Sequence, residues 1–264
     1  MSGRPRVLVL GGTSEARELA AELDAAGVAV TSSLAGRVSN PRLPAGEVRL
    51  GGFGGPDGLA RWLREHQIAA VVDATHPFAE RISESAVTAC ERTAVPLLRL
   101  ERPGWTQSPG DHWVWVDDLE QAASVVPGLG SRVFLTTGRL GLAAFAAVDS
   151  AWFLIRCVDP PESPLPRHHR VLLGRGPYTI DDELQLIDEH RIEVVVTKDS
   201  GGAHTRAKLD AARRRALPVI VVRRPPRPAA TAVASTADAV AWVLAIVGEA
   251  VAIGRSARGC GRDR

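Results

Sequence analysis

Near the start of the chain, Gly11, Gly12, Thr13 and Ser14 stand between the apolar run Arg6-Val-Leu-Val-Leu10 and the helix-forming stretch that begins Glu15-Ala16-Arg17. Paired glycines let a phosphate approach backbone N–H groups. Thr13 or Ser14 can cap a helix and donate a hydroxyl, and the helix N-terminus adds a partial positive charge. This describes a pyrophosphate cradle, but not the G-x-G-x-x-G fingerprint: counted from Gly11, Thr13 stands at the second glycine, and the third is absent. Ala16 stands there instead, a replacement the fingerprint tolerates where helix packs on strand. By itself the pattern is equally that of a tight strand-to-helix turn with no ligand. The stretch "VTSSLAGR" (30–37) carries no acid for a ribose 2′-hydroxyl and offers Ser32, Ser33 and Arg37, the groups a 2′-phosphate wants. These residues point to NADPH over NADH. Gly52, in the glycine loop "LGGFGGPDG" (50–58), either lets backbone pass close to that ligand or merely turns the chain.

Two further clusters follow strand-like runs. In "DATHPFA" (73–79), Asp73 ends an apolar run, Thr75 and His76 lie in the loop, and Pro77 fixes the next turn. His76 could be a proton donor, a hydrogen-bonding clamp or a satisfied loop histidine. In "TKDSGG" (197–202), Lys198 precedes Asp199, Ser200, Gly201 and Gly202; the chain's other lysine is Lys208, against thirty-two Lys and Arg together. A lysine kept at a strand end in so arginine-rich a chain suggests a position that a planar guanidinium does not suit. Lys208, in the next helix, is expected to be solvated or a remote carboxylate contact. Several chemistries are excluded. Tyr178 is followed four residues later by Asp182, not Lys, and there is no G-x-S-x-G elbow, no P-loop and no metal-spaced histidine group. No metal is expected, and His168-His169 sit in a Pro/Arg-rich loop.

The elements that must position these residues occur twice. "RVLVLGGTSEARELA" (6–20) aligns with "RVFLTTGRLGLAAFA" (132–146), "LGGFGG" (50–55) with "LLGRGP" (172–177), "REHQIAAVVDATHP" (64–77) with "DEHRIEVVVTKDSG" (188–201), and "VPLLRLERP" (95–103) with "LPVIVVRRP" (217–225), at an offset of 122–126. Thr137, Gly138 and Arg139 thus stand where the first copy has its glycine pair. Each half reads as strands alternating with helices. The strands fall near 6–10, 28–32, 69–73 and 96–100, then near 132–136, 152–157, 193–197 and 218–222, with a helix between each strand and the next in both copies. Alternation of this kind implies an α/β fold: two doubly wound parallel-sheet domains related by internal duplication. The expected domains are 1–127 with the glycine loop and 128–248 on the substrate side, joined near Val126-Pro-Gly-Leu-Gly130. A cleft is expected between them, with a disordered tail over 249–264.

Composition agrees with a globular, cytoplasmic protein: 264 residues, 45% hydrophobic, net charge +2, and three separated cysteines in no C-x-x-C pair. The near-balance of charge disfavours nucleic acid, no apolar run approaches a membrane span, and the N-terminus lacks a signal peptide's order.

Together "VLVLGGTSEARELA", "DATHPFA", "LRLERPGW", "LTTGR" and "TKDSGG", in this order and spacing to about residue 245, resemble the precorrin-6A reductases of cobalamin biosynthesis. The resemblance implies NADPH-dependent reduction of a tetrapyrrole ring double bond, two Rossmann-like domains exchanging a strand, and a deep cleft. It implies NADPH contacts from Gly11, Gly12, Thr13, Ser14, Ser33, Arg37, Gly52, Thr75, Lys198 and Asp199. Contacts to the macrocycle fall to Arg17, Thr137, Gly138, Arg139, Ser200, Gly201 and Gly202, with Lys198 and His76 as the catalytic candidates. Arg99, Arg102 and Arg156 are further candidates for its many carboxylates. The alternatives are a reductase of the cobalt-containing ring and a non-catalytic NADP(H)-binding regulator. A monomer or weak homodimer is expected.

Overall fold

The computed structural model describes residues 4–36, 42–162, 164–203 and 205–259, with backbone alone from 249 onward. The first copy runs β1 (Arg6–Leu10), α1 (Ser14–Ala25), β2 (Ala29–Leu34), β3 (Glu47–Leu50), α2 (Gly55–Glu65), β4 (Ile68–Asp73), α3 (Glu80–Thr93), β5 (Leu97–Leu100), β6 (His112–Val116) and α4 (Leu119–Val125). The second runs β7 (Arg132–Leu135), β8 (Trp152–Cys157), β9 (His169–Leu173), α5 (Ile180–His190), β10 (Val194–Lys198), α6 (Ala207–Arg214), β11 (Pro218–Val222), β12 (Thr231–Val233) and α7 (Thr236–Gly259).

All pairings are parallel, and the two sheets have the same plan: β12-β5-β4-β1-β2-β3 and β6-β11-β10-β7-β8-β9. The sixth strand of each copy therefore lies at the edge of the other copy's sheet, which is the strand exchange the resemblance implies. Contacts divide the chain accordingly into Met1–Arg102 with Pro226–Arg264, and Pro103–Pro225. The expected boundary at 127/128 falls inside this second unit, because β6 pairs with β11. Within the expected tail, α7 continues through 249 to Gly259, and residues 260–264 lie outside the described residues.

In the first unit β1 is buried on both faces, which is why its residues are apolar without alternation. Val7 and Val9 pack with Leu19 and Leu23 of α1 and Val243 of α7. Leu8 and Leu10 pack with Leu59 and Leu63 of α2 and Ala86 and Ala89 of α3. In the second unit Phe134, Leu154, Val195 and Val221 meet Ile187 of α5 and Leu209 of α6, with Trp105 and Trp113 closing the cluster. One expected helix is missing: after β7 the chain makes only a 3₁₀ turn, Leu142–Phe145, in the place of the 12-residue α1. Gly141, at φ 86°, stands at the start of that turn.

Candidate functional site

In doubly wound sheets ligands gather outside the carboxyl ends of the strands where strand order reverses. In the first unit that point lies between β1 and β4, whose following loops are 11–13 and 74–79. Gly12 has φ 118°, which only glycine adopts readily, and the space where its side chain would stand is open. Gly11 donates its N–H to the Ser33 carbonyl at 2.9 Å, tying the turn to β2. A Cβ at Gly11 would lie 3.5 Å from that of Ala16, so the third-glycine position is an ordinary helix-to-strand contact that alanine fits. The Thr13 hydroxyl accepts from the Ala16 N–H at 3.1 Å and donates to the Ala74 carbonyl at 2.8 Å. It thus caps α1 and welds the β1 loop to the β4 loop. The capped helix end, with its partial positive charge, opens at this edge.

A hollow at this point is lined by Thr13, Glu15, Ala74, Thr75, Pro77, Leu100, Glu101 and Arg102. Arg102 holds Glu15 at 2.6 Å, and the Ser14 hydroxyl donates to the same carboxylate oxygen at 3.1 Å. Burial raises the Glu15 pKa, but its own N–H, Arg102 and Ser14 together outweigh that and hold it below the usual carboxylate value. Arg102 is thereby part of this wall of the first unit. Arg17 follows Ala16 in α1, half-buried.

Asp73 closes β4 with its carboxylate buried and heavily partnered. Oδ1 accepts from the Thr75 hydroxyl at 2.6 Å and the Thr75 N–H at 3.2 Å, and Oδ2 accepts from the Ser83 hydroxyl at 2.6 Å. Arg227 reaches Oδ2 at 3.3 Å and Arg99 at 3.8 Å. Arg99 also donates to the Pro228 carbonyl at 2.9 Å, so it is committed to this buried cluster and not displayed to a substrate. His76 accepts the Phe78 N–H on Nδ1 at 3.2 Å, which leaves Nε2 as the protonated nitrogen of the neutral ring. At the β2/β3 edge, Ser33 is buried and its hydroxyl accepts from Arg49 at 3.5 Å. Arg49 also donates to the carbonyls of Gly51 and Gly52 at 2.6 and 2.7 Å and lies over the Phe53 ring. Arg37 lies outside the described residues; Arg49, which sequence reasoning missed, is the arginine seen at Ser33.

In the second unit the reversal lies between β7 and β10, so the loops carrying Thr137, Gly138, Arg139 and Lys198 to Gly202 are brought to one edge. Thr136 donates its N–H and hydroxyl to the Val196 carbonyl at 2.9 and 3.0 Å, fixing the two loops together. The Thr137 hydroxyl is buried and has no hydrogen-bond partner. Gly138 has φ 77°, and Arg139 is half-buried. Lys198 ends β10 half-buried, and its carbonyl accepts from the Ser200 N–H at 2.7 Å. Gly201 has φ 64°, and any Cβ there would strike the Pro103 carbonyl. Asp199 is occupied by the protein itself: its carboxylate accepts from the Trp105 N–H at 2.9 Å and pairs with Arg224 at 3.3 Å. The Trp105 indole N–H donates to the Gly202 carbonyl at 3.0 Å. Arg156 is likewise internal, paired with buried Glu183 at 2.8 Å and lying over the Tyr178 ring. Lys208, expected to be solvated or a remote carboxylate contact, is buried, with the Glu183 carboxylate acting on it: its ammonium donates to the Thr205 carbonyl at 2.7 Å over the Trp105 ring.

A glycine turn running into a capped helix at the switch point of a doubly wound parallel sheet, in a chain that holds that sheet plan twice, defines a Rossmann-like α/β enzyme. The family model described as "Precorrin-6x reductase CbiJ/CobK" matches residues 6–244, and the chain belongs to this family. It is 55% identical to the precorrin-6A reductase of Rhodococcus erythropolis over 240 residues, covering 90% of this chain and 97% of that one. It is 32% identical to the cobalt-precorrin-6A reductase of Salmonella typhimurium over 236 residues, covering 83% and 87%. A solved structure titled "CobK precorrin-6A reductase" superposes with a TM-score of 0.87 at 43% identity, covering 92% of this chain and 97% of that one.

Proposed function

We propose that the chain reduces a ring double bond of precorrin-6A to give precorrin-6B in cobalamin biosynthesis, with NADPH as the reductant held by the first unit. One observation carries the placement of the cofactor: of two copies of one plan, only the first keeps a glycine turn leading into a capped α-helix, while the second has a 3₁₀ turn there. Gly11 to Ser14 offer backbone N–H groups and the α1 N-terminus to the pyrophosphate, and the open space at Gly12 admits it. Ser33 with Arg37 and Arg49 receives the 2′-phosphate, and Gly52 lets backbone come close there. The greater similarity to the metal-free reductase favours the ring without cobalt.

When bound, NADPH supplies the hydride. The chain's own residues bind, orient and keep water out. His76, with Nδ1 engaged by the Phe78 N–H, offers Nε2–H as a hydrogen-bond clamp at this edge. On the second unit the Thr137 hydroxyl, Arg139, Lys198 and Ser200 take the macrocycle's carboxylates, with Gly138, Gly201 and Gly202 shaping the surface. Lys198, on a four-carbon stem, can follow the substrate where a guanidinium fork could not. Asp199 contributes as the anchor of its loop through Trp105 and Arg224. The buried thiols Cys90 and Cys157 suit a reduced, cytoplasmic compartment, and among the described residues no helix is long and apolar enough to cross a membrane.

The test is steady-state NADPH oxidation with precorrin-6A, repeated with NADH and with the cobalt-containing ring. The expected order is fastest turnover with NADPH and the metal-free ring, with the preference over NADH lost in an Arg37→Ala, Arg49→Ala double variant. Equal rates with both cofactors in the wild type would overturn the 2′-phosphate assignment, and oxidation with neither ring would overturn the activity.

A further inference from the structure

Asp73 already has a buried arginine beside it in Arg99, and its charge is balanced without another. A second arginine nevertheless arrives from far along the chain. The Arg227 side chain is buried, and its two terminal nitrogens do different things. Nη2 donates to the Thr75 hydroxyl at 3.1 Å and to the Ser83 hydroxyl, and faces Asp73 Oδ2 at 3.3 Å. Nη1 lies 3.6 Å from the Glu101 carboxylate. Thr75 belongs to the loop after β4 and Glu101 to the segment after β5, and both line the hollow beside Thr13. A planar, rigid guanidinium spanning the two fixes one loop against the other in a way a single ammonium does not. The backbone that delivers it is stiff: Pro226 and Pro228 flank Arg227, and Arg99 grips the Pro228 carbonyl.

We infer that Arg227 is a positioning residue for the cofactor hollow, setting the Thr75–Pro77 loop and Glu101 at the spacing NADPH needs. This rests on the reading that the first unit holds NADPH. It acts through Thr75 and Glu101 and touches neither substrate nor reacting atoms. The experiment compares full-length wild type, Arg227→Met and Arg227→Lys by amide exchange without ligand and by steady-state kinetics. In Arg227→Met, exchange over 75–79 and 101–102 should quicken, the KM for NADPH should rise about tenfold, and kcat at saturating NADPH should hold within about twofold. Arg227→Lys should recover less than half of the loss. If the methionine variant does not fold, the lysine variant carries the same two readouts. A lowered melting temperature with unchanged exchange and unchanged KM would overturn the inference and leave a stability role alone. Quickened exchange with unchanged KM would uphold the clamp and overturn the placement of NADPH in this hollow.

Discussion

At the scale of residues, the charged groups divide by whether the fold has already consumed them. Arg99, Arg156, Asp73, Asp199 and Lys208 carry residue types that attract notice in a sequence, yet each is buried against protein partners. Lys208 gives a test of this division. Burial and the neighbouring Arg156 depress its pKa from 10.5 to about 7, against the opposing pull of Glu183. The unfolded chain therefore binds more protons between about pH 7 and 10.5, and folding is penalised below that window and relieved as pH rises through it. Lys208→Met should be more stable than wild type at pH 6.5, with the difference shrinking steadily by pH 10, as followed by denaturant melts. A difference independent of pH would contradict the burial of a titrating ammonium.

At the scale of elements, the site is made by how strands hand over to helices. Thr13 shows this most plainly, since one hydroxyl caps α1 and ties it to the loop after β4. Thr13→Ala should lower stability by about 1–2 kcal/mol and weaken NADP+ binding, read as a smaller ligand-induced shift in melting temperature. Thr13→Ser should restore both; full NADP+ stabilisation in the alanine variant would remove the cap from the account. This cap, the glycine turn and both DATHPFA and TKDSGG loops were legible in the sequence because they depend on contiguous residues next to long apolar strands. Edge strands were not: β3 (EVRL) is half-exposed and polar, and β12 is three residues long, so neither shows the apolar run of a central strand. Arg49 and Arg227 escaped for a different reason. Their partners are set by strand pairing and by contacts 152 and 154 positions away, which no local pattern encodes.

At the scale of the whole molecule, duplication explains both the symmetry of the fold and the asymmetry of the chemistry. Two sheets of identical strand order place two sets of loops at equivalent edges. One set kept the helix N-terminus that suits phosphate; the other lost that helix and kept a lysine, an arginine and a buried, unpartnered Thr137 hydroxyl. The self-alignment revealed the doubling, but the crossing of the sixth strands came to the sequence reading only through the family resemblance, because an exchanged edge strand leaves the repeat order intact. The proposed reaction passes a hydride from NADPH to a carbon of precorrin-6A. The most direct measurement supplies NADPH carrying deuterium at the transferable C4 position, in ordinary water, and weighs the macrocycle product. Precorrin-6B bearing a single deuterium, formed in step with NADPH consumption, is expected; a product without deuterium, or NADPH consumed without reduction of the ring, would contradict hydride transfer from NADPH.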